Sequence, residues 1–146
     1  MPLPFEYQNA SRQFDQFMIE SRDNAGLATT NMSWNMVVGV LHCFRSRLSI
    51  EQALLFADAL PPVVRAIFVE NWNPALPRKE FGTYASMLAD VRSVRSQHNF
   101  STENAIPAVA AALCNNIDMV TFLHALKQLP PEAQKYWLSG QGMERS

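Results

Sequence analysis

The sequence predicts an all-α protein of about eight helices, arranged as two pseudo-symmetric four-helix repeats packed into one bundle. Three observations predict it. Apolar residues recur at steps of three or four along most of the 146-residue chain, the spacing of one helix face. Residues that start and stop helices punctuate those stripes at short intervals. The order of the signals then repeats itself down the chain. Period-two alternation of β-branched residues and Asn-Gly or Asp-Gly hairpins are both missing, so no strand is expected.

Phe14 and Phe17 mark the first helix, and Asp23-Asn24-Ala25-Gly26 reads as an irregular stretch behind it. Trp34, Val37, Val38, Leu41, Phe44 and Leu48 form the next stripe. Ser49 with Gln52 three residues on has the capping-box pattern, and Ala53, Leu54, Ala57 and Leu60 carry the stripe forward. Pro61-Pro62 stops it, because proline cannot donate to a preceding turn yet suits the first position of a new helix. Val63, Val64, Ile67 and Phe68 supply a short helix ending near Asn71-Trp72, and Asn73-Pro74-Ala75-Leu76-Pro77 is the clearest linker.

The second half follows the same plan. Phe81, Tyr84, Leu88, Val91 and Val94 form one stripe, followed by an irregular run from Ser93 to Ser101; Ile106, Val109, Ala110, Leu113 and Ile117 form the next. Asp118 is placed to cap a helix carrying Phe122, Leu123 and Leu126, and a last short helix ends at Tyr136-Trp137. Pro107 is harmless if Asn104 is the N-cap, since a first-turn proline loses no bonded donor; a helix begun at Ser101 would kink there.

Setting Leu129-Pro130-Pro131 on Leu60-Pro61-Pro62, a shift of 69 residues, pairs Val37 with Ile106, Val40 with Val109 and Phe44 with Leu113. It also pairs Leu48 with Ile117, Ser49 with Asp118, Leu54 with Leu123 and Phe68 with Trp137. Core positions meet core positions, and a cap meets a cap. The pattern reads as a duplication, residues 12–73 and 79–138, within a single domain covering residues 1–146.

With 12 basic against 13 acidic residues the formal net charge is −1. A polyanion binder would carry a basic excess, so the balance argues against nucleic acid. No run nears the roughly 20 apolar residues that span a bilayer. Met1-Pro2-Leu3-Pro4-Phe5-Glu6 has neither a basic n-region nor a long apolar core, and Cys43 and Cys114 are too few for a secreted disulfide scaffold. A cytoplasmic location is therefore expected.

One stretch has a wider echo. Val40-Leu41-His42-Cys43-Phe44-Arg45-Ser46-Arg47-Leu48 is followed by Glu51-Gln52-Ala53, Leu60-Pro61-Pro62-Val63-Val64-Arg65 and Ile67-Phe68-Val69-Glu70-Asn71-Trp72-Asn73-Pro74. This ordered set resembles a bacterial family of duplicated all-helical domains, domain of unknown function 2267, from about Phe14 to Trp137. The chain departs from the family pattern at Phe68-Val69, where two aromatics are usual, and at Asn71, where glycine is. The resemblance implies a bacterial cytosolic protein and no particular reaction.

Trp72 can serve as an aromatic platform for a partner, although a tryptophan plugging the seam between the halves is the more ordinary role. Arg45 and Arg47, two apart on a helix, face different ways and suit the end of their own helix, where cations complement the dipole. Arg65 opposes the dipole near a helix start, so it is expected to pair with Asp58 or Glu70 and is the arginine preferred for function. His42, His98 and His124 share no ligand spacing. His42-Cys43 neighbours point apart on a helix, so no Cys–His nucleophile is expected. Arg92, Arg95 and His98 fall at steps of three and would make a small basic ridge. Leu48 to Phe68 has the outline of a DNA-reading helix pair, but only Arg65 could reach a base.

The sequence thus points to a non-enzymatic binding protein with no catalytic residues, metal or cofactor. Its expected partner is another protein or a second copy of itself, met near Trp72-Asn73-Pro74. The alternative is a small-molecule or enzymatic site between the repeats, using Arg65 with His42 or Glu70.

Overall fold

The computed structural model describes residues 3–139 and contains no strand among them. Nine α-helices follow in order: α1 (Phe5–Gln8), α2 (Ala10–Ala25), α3 (Thr30–Arg45), α4 (Ile50–Asp58), α5 (Pro62–Val69), α6 (Tyr84–Ser93), α7 (Ala105–Cys114), α8 (Met119–Lys127) and α9 (Pro131–Leu138). A 3₁₀ turn, Ser96–His98, lies between α6 and α7. The short α1 carries no sequence signal of the kind that marks the others.

Local chemistry explains most boundaries. Ser49 accepts from the Gln52 amide while the Gln52 side chain accepts from the Ser49 amide, so the capping box starts α4. Asp118 caps α8 through the Val120 amide. Pro62 and Pro131 occupy the first turns of α5 and α9. Asn104 is the N-cap residue of α7, so Pro107 falls in its first turn. The Asn104 side chain does not cap, however; it donates to the Asn24 carbonyl 3.0 Å away.

Two expected boundaries shift. Asp23-Asn24-Ala25 is helical and α2 stops only at Gly26, whose φ of 73° closes the helix in the left-handed region. Phe81 lies ahead of α6, which begins where Thr83 caps the Ser86 amide, and it reaches the core from the linker.

The helices pack reciprocally. α2 lies along α7 and α6 lies along α3, while α3 meets α7 and α4 meets α8 between them. α2 also packs against α3, so it bridges α3 and α7. Gly39 is required at one crossing, because a Cβ there would stand 2.4 Å from the Val91 carbonyl oxygen.

One contiguous core fills the middle. Its centre is aromatic: Phe44 meets Phe56 at 4.7 Å and Trp137 edge-on at 5.3 Å, and Phe56 stacks on Trp137 at 5.5 Å. Phe68 and Phe122 complete the cluster against Phe56. Val37, Leu41, Phe44, Ile106, Val109 and Leu113 are all buried, as their stripes require.

The stripe of α4 needs correction. Leu54 is 56% exposed, while Phe56, absent from the expected stripe, is fully buried. Leu123, which aligns with Leu54, is only half-buried, and Phe122 and Leu126 carry the inner face of α8. Leu and Phe satisfy either rotation of a short helix, and the aromatic cluster selects the rotation that buries the larger ring.

Phe56→Ala should therefore cost about 3–5 kcal/mol while Leu54→Ala stays within about 0.5 kcal/mol. Urea denaturation checks this, and equal losses would contradict the burial assignment. Gly39→Ala would gain about 1 kcal/mol in an open helix. Here it should lower the melting temperature, because α3 and α6 must separate; a raised value would show the crossing is looser than described.

Candidate functional site

The last carbonyls of any helix lack intrahelical donors. For α5 they are supplied from α3. His42 Nε2 lies 2.8 Å from the Ile67 oxygen, and since a carbonyl only accepts, the ring carries its proton on Nε2. One turn on, Arg45 Nη1 donates to the Phe68 and Glu70 oxygens at 2.9 and 2.8 Å. Positions i and i+3 share a face, so one side of α3 caps the end of α5.

The chain then turns at Asn71, whose φ is 55°. Asparagine is among the few side-chain-bearing residues that adopt the left-handed region readily. The turn lays Trp72 over Arg45, with the guanidinium carbon 5.5 Å from the ring centroid, a cation–π arrangement. Trp72 remains half-buried at the edge of the core.

Arg65 is elsewhere. It donates from Nε to Ala57 O at 2.9 Å, from Nη2 to Leu60 O at 2.7 Å and from Nη1 to the Tyr7 hydroxyl at 3.2 Å. The expected pairing with Asp58 or Glu70 is not formed. Its guanidinium instead caps the end of α4, where partly buried carbonyls need donors more than an exposed carboxylate does. The unfavourable placement at the start of α5 is thereby explained by the preceding helix.

Of the four residues singled out from sequence, His42, Glu70 and Trp72 gather at the far end of α5, and Arg65 sits at its near end. Glu70 contributes its carbonyl to Arg45, and its side chain is exposed. Arg45 is the residue that sequence reasoning set aside. Its spacing from His42, i to i+3 in the last turn of a helix, was the available signal.

Arg47 behaves as expected for a helix end, donating to Cys43 O at 3.0 Å, but it also pairs with Asp90 at 2.9 Å. Lys79 reaches the same carboxylate at 3.1 Å. Burial pushes the Asp90 carboxyl up, and the hydrogen bonds from Arg47 and Lys79 outweigh it, so its pKa is lowered. The Lys79 amide also donates to Ser46 O at 2.9 Å, tying the linker to the end of α3.

Between α3, α4 and the linker runs a groove of about 540 Å³. Arg45, Trp72 and Arg78 line it together with Leu48, Ile50 and Leu76. A second hollow, about 300 Å³, lies among α6, α7 and α9 and is lined by Phe81, Tyr84, Met87, Ile106 and Tyr136.

The basic ridge does not form. α6 ends at Ser93, Arg95 has a φ of 48°, and His98 falls in the 3₁₀ turn. Arg92 turns instead to Ser101 O at 3.0 Å. Burial pushes the Cys114 thiol up to about 11 and raises Cys43 as well, so neither is poised as a nucleophile. Among the described residues no cluster of His, Cys, Asp and Glu could hold a metal ion, and no helix is long and apolar enough to cross a membrane.

These features define an all-helical protein whose basic side chains cap the ends of neighbouring helices and leave one groove open beside the linker. The chain belongs to the family described as "Uncharacterized conserved protein (DUF2267)", which matches residues 14–136. No curated protein matches it.

Burial holds His42 below its ordinary value of 6.5, although the bond to Ile67 acts the other way. The unfolded chain therefore takes up a proton at a pH where the folded ring stays neutral. The resulting stability is complete above the unfolded value and is lost as pH falls through it, levelling off once the folded ring protonates too. His42→Gln, which keeps a donor for Ile67 O, should flatten the fall in unfolding free energy between about pH 7 and pH 5. Parallel curves for the two proteins would show that His42 is not the titrating group.

Proposed function

We propose that this chain is a bacterial, cytoplasmic protein-interaction module that binds through the linker groove, and that it arose by duplication of one four-helix unit. The observation that carries the binding reading is the surface around Trp72. Ile50 is 51% and Leu76 67% exposed at the groove, with Leu54 one turn along α4 from Ile50. Exposed aliphatic side chains around a half-buried tryptophan have the anatomy of an interface centre.

Recurring bonds support the duplication. Arg65 donates to Leu60 O as Gln134 does to Leu129 O, and Arg45 reaches Phe68 O as the Cys114 thiol reaches Trp137 O. Arg47 and Cys43 O likewise correspond to Asn116 and Ala112 O. All three pairs are 69 residues apart.

A photo-crosslinking amino acid at Leu76, in cells that naturally make the protein, tests the binding reading. A discrete protein adduct or a homodimer is expected from Leu76, lost in Trp72→Ala and not formed from Val120, which is also exposed. Adducts that are absent at Leu76, or equal at both positions, would overturn it.

A second reading, a small-molecule site, is favoured by the apolar hollow among α6, α7 and α9, which is at the lower end of ligand-pocket sizes. Arg65, His42 and Glu70 do not line that hollow.

A further inference from the structure

Three cationic side chains, Arg45, Arg78 and Lys79, line the groove beside Trp72. Arg45 and Arg47 are both buried, at 9% and 5% exposure. Arg47 has Asp90 as its counter-charge. Arg45 has no carboxylate partner among the described residues. Its Nη1 is used by the Phe68 and Glu70 carbonyls, while Nε and Nη2 have no acceptor there and are not sealed from solvent. A guanidinium has five donors, so most of this one is unspent.

Further positive charge surrounds it. Arg78 and Lys79 line the same groove, and among the described residues no Asp or Glu does. Arg78 makes no ion pair among the described residues, and Lys79 shares the single Asp90 carboxylate with Arg47. A buried cation held by backbone dipoles and one aromatic face, with the unpaired Arg78 beside it, leaves a positive field that an incoming carboxylate would satisfy.

The other walls are aliphatic. Ile50 and Leu76 stand exposed and line the groove together with Trp72. A nucleic acid would need aromatic faces for its bases, and here the one aromatic ring is already stacked on Arg45. A peptide satisfies both halves of the groove.

We infer that the linker groove receives a partner's peptide segment in which an Asp or Glu lies next to a large aliphatic or aromatic residue. The carboxylate binds the free edge of Arg45 and is flanked by Arg78. The apolar side chain packs between Trp72 and Ile50 or Leu76. This rests on the groove being the binding surface and adds the chemistry of what binds there.

Selection of a random phage-displayed peptide library on the immobilised full chain tests it, followed by fluorescence polarisation of a labelled selected peptide. Acid–apolar pairs should be enriched. Arg78→Glu should weaken binding about tenfold, and Asp→Asn or Glu→Gln in the peptide should weaken it at least as much, the two changes together costing less than the sum of their separate losses because both act on one carboxylate. Arg45→Lys keeps the charge and loses the fork, so it should weaken binding further; if that variant fails to fold, exposed Arg78 still decides. Peptides without acids whose binding is lost in Trp72→Ala would overturn the acidic preference and leave the groove as the interface. Failure to select any peptide sensitive to Trp72→Ala would overturn both. Competition by inorganic phosphate, or tighter binding of a single-stranded oligonucleotide, would identify a different anion and refute the peptide.

Discussion

The contact on which the rest depends is the meeting of Phe44 and Trp137. One ring belongs to α3 and the other to α9, and Phe56 lies against both. Aromatic rings packed at these separations contribute beyond the area they bury. The cluster joins α3, α4 and α5 to α8 and α9, so helices far apart in the chain share one core. Reciprocal cover by α2 and α6 then shields the outer faces of α7 and α3.

From that cluster the geometry of the groove follows. Phe68 is pinned against Phe56 near the end of α5, which brings its carbonyl within reach of Arg45. Short helices carry a large share of unpaired end groups, and α4 and α5 have only nine and eight residues. Neighbouring cations supply donors to both. At α4 the donor, Arg65, bonds through all three of its nitrogens; at α5 the donor, Arg45, bonds through Nη1 alone. The same capping chemistry places an arginine at each end of α5, one on the carbonyls of α4 and the other on those of α5 itself.

Trp72 has a structural role and also lines the groove. Its ring seals one face of a buried guanidinium, which explains a tryptophan at that position without any partner. The left-handed turn at Asn71 that places it also leaves its outer edge beside Ile50 and Leu76. Trp72 thus packs against the core and lines the groove with the same side chain.

Much of the fold was legible in the amino-acid order. The stripes of α3 and α7, the capping box at Ser49, the Asp118 cap and the proline starts of α5 and α9 are local, set by residues within one turn of each other. Such chemistry needs no knowledge of the rest of the chain. What only the tertiary structure decided was which side of a short helix faces inward and where a long cation finds its acceptor. Leu54 and Phe56 are equivalent by pattern, and the aromatic cluster chose between them. Arg45 and Arg65 were ranked by position in their own helices, but their partners are carbonyls on other helices. Hydrogen bonds across such distances depend on where folding delivers the acceptor, and no local spacing carries that.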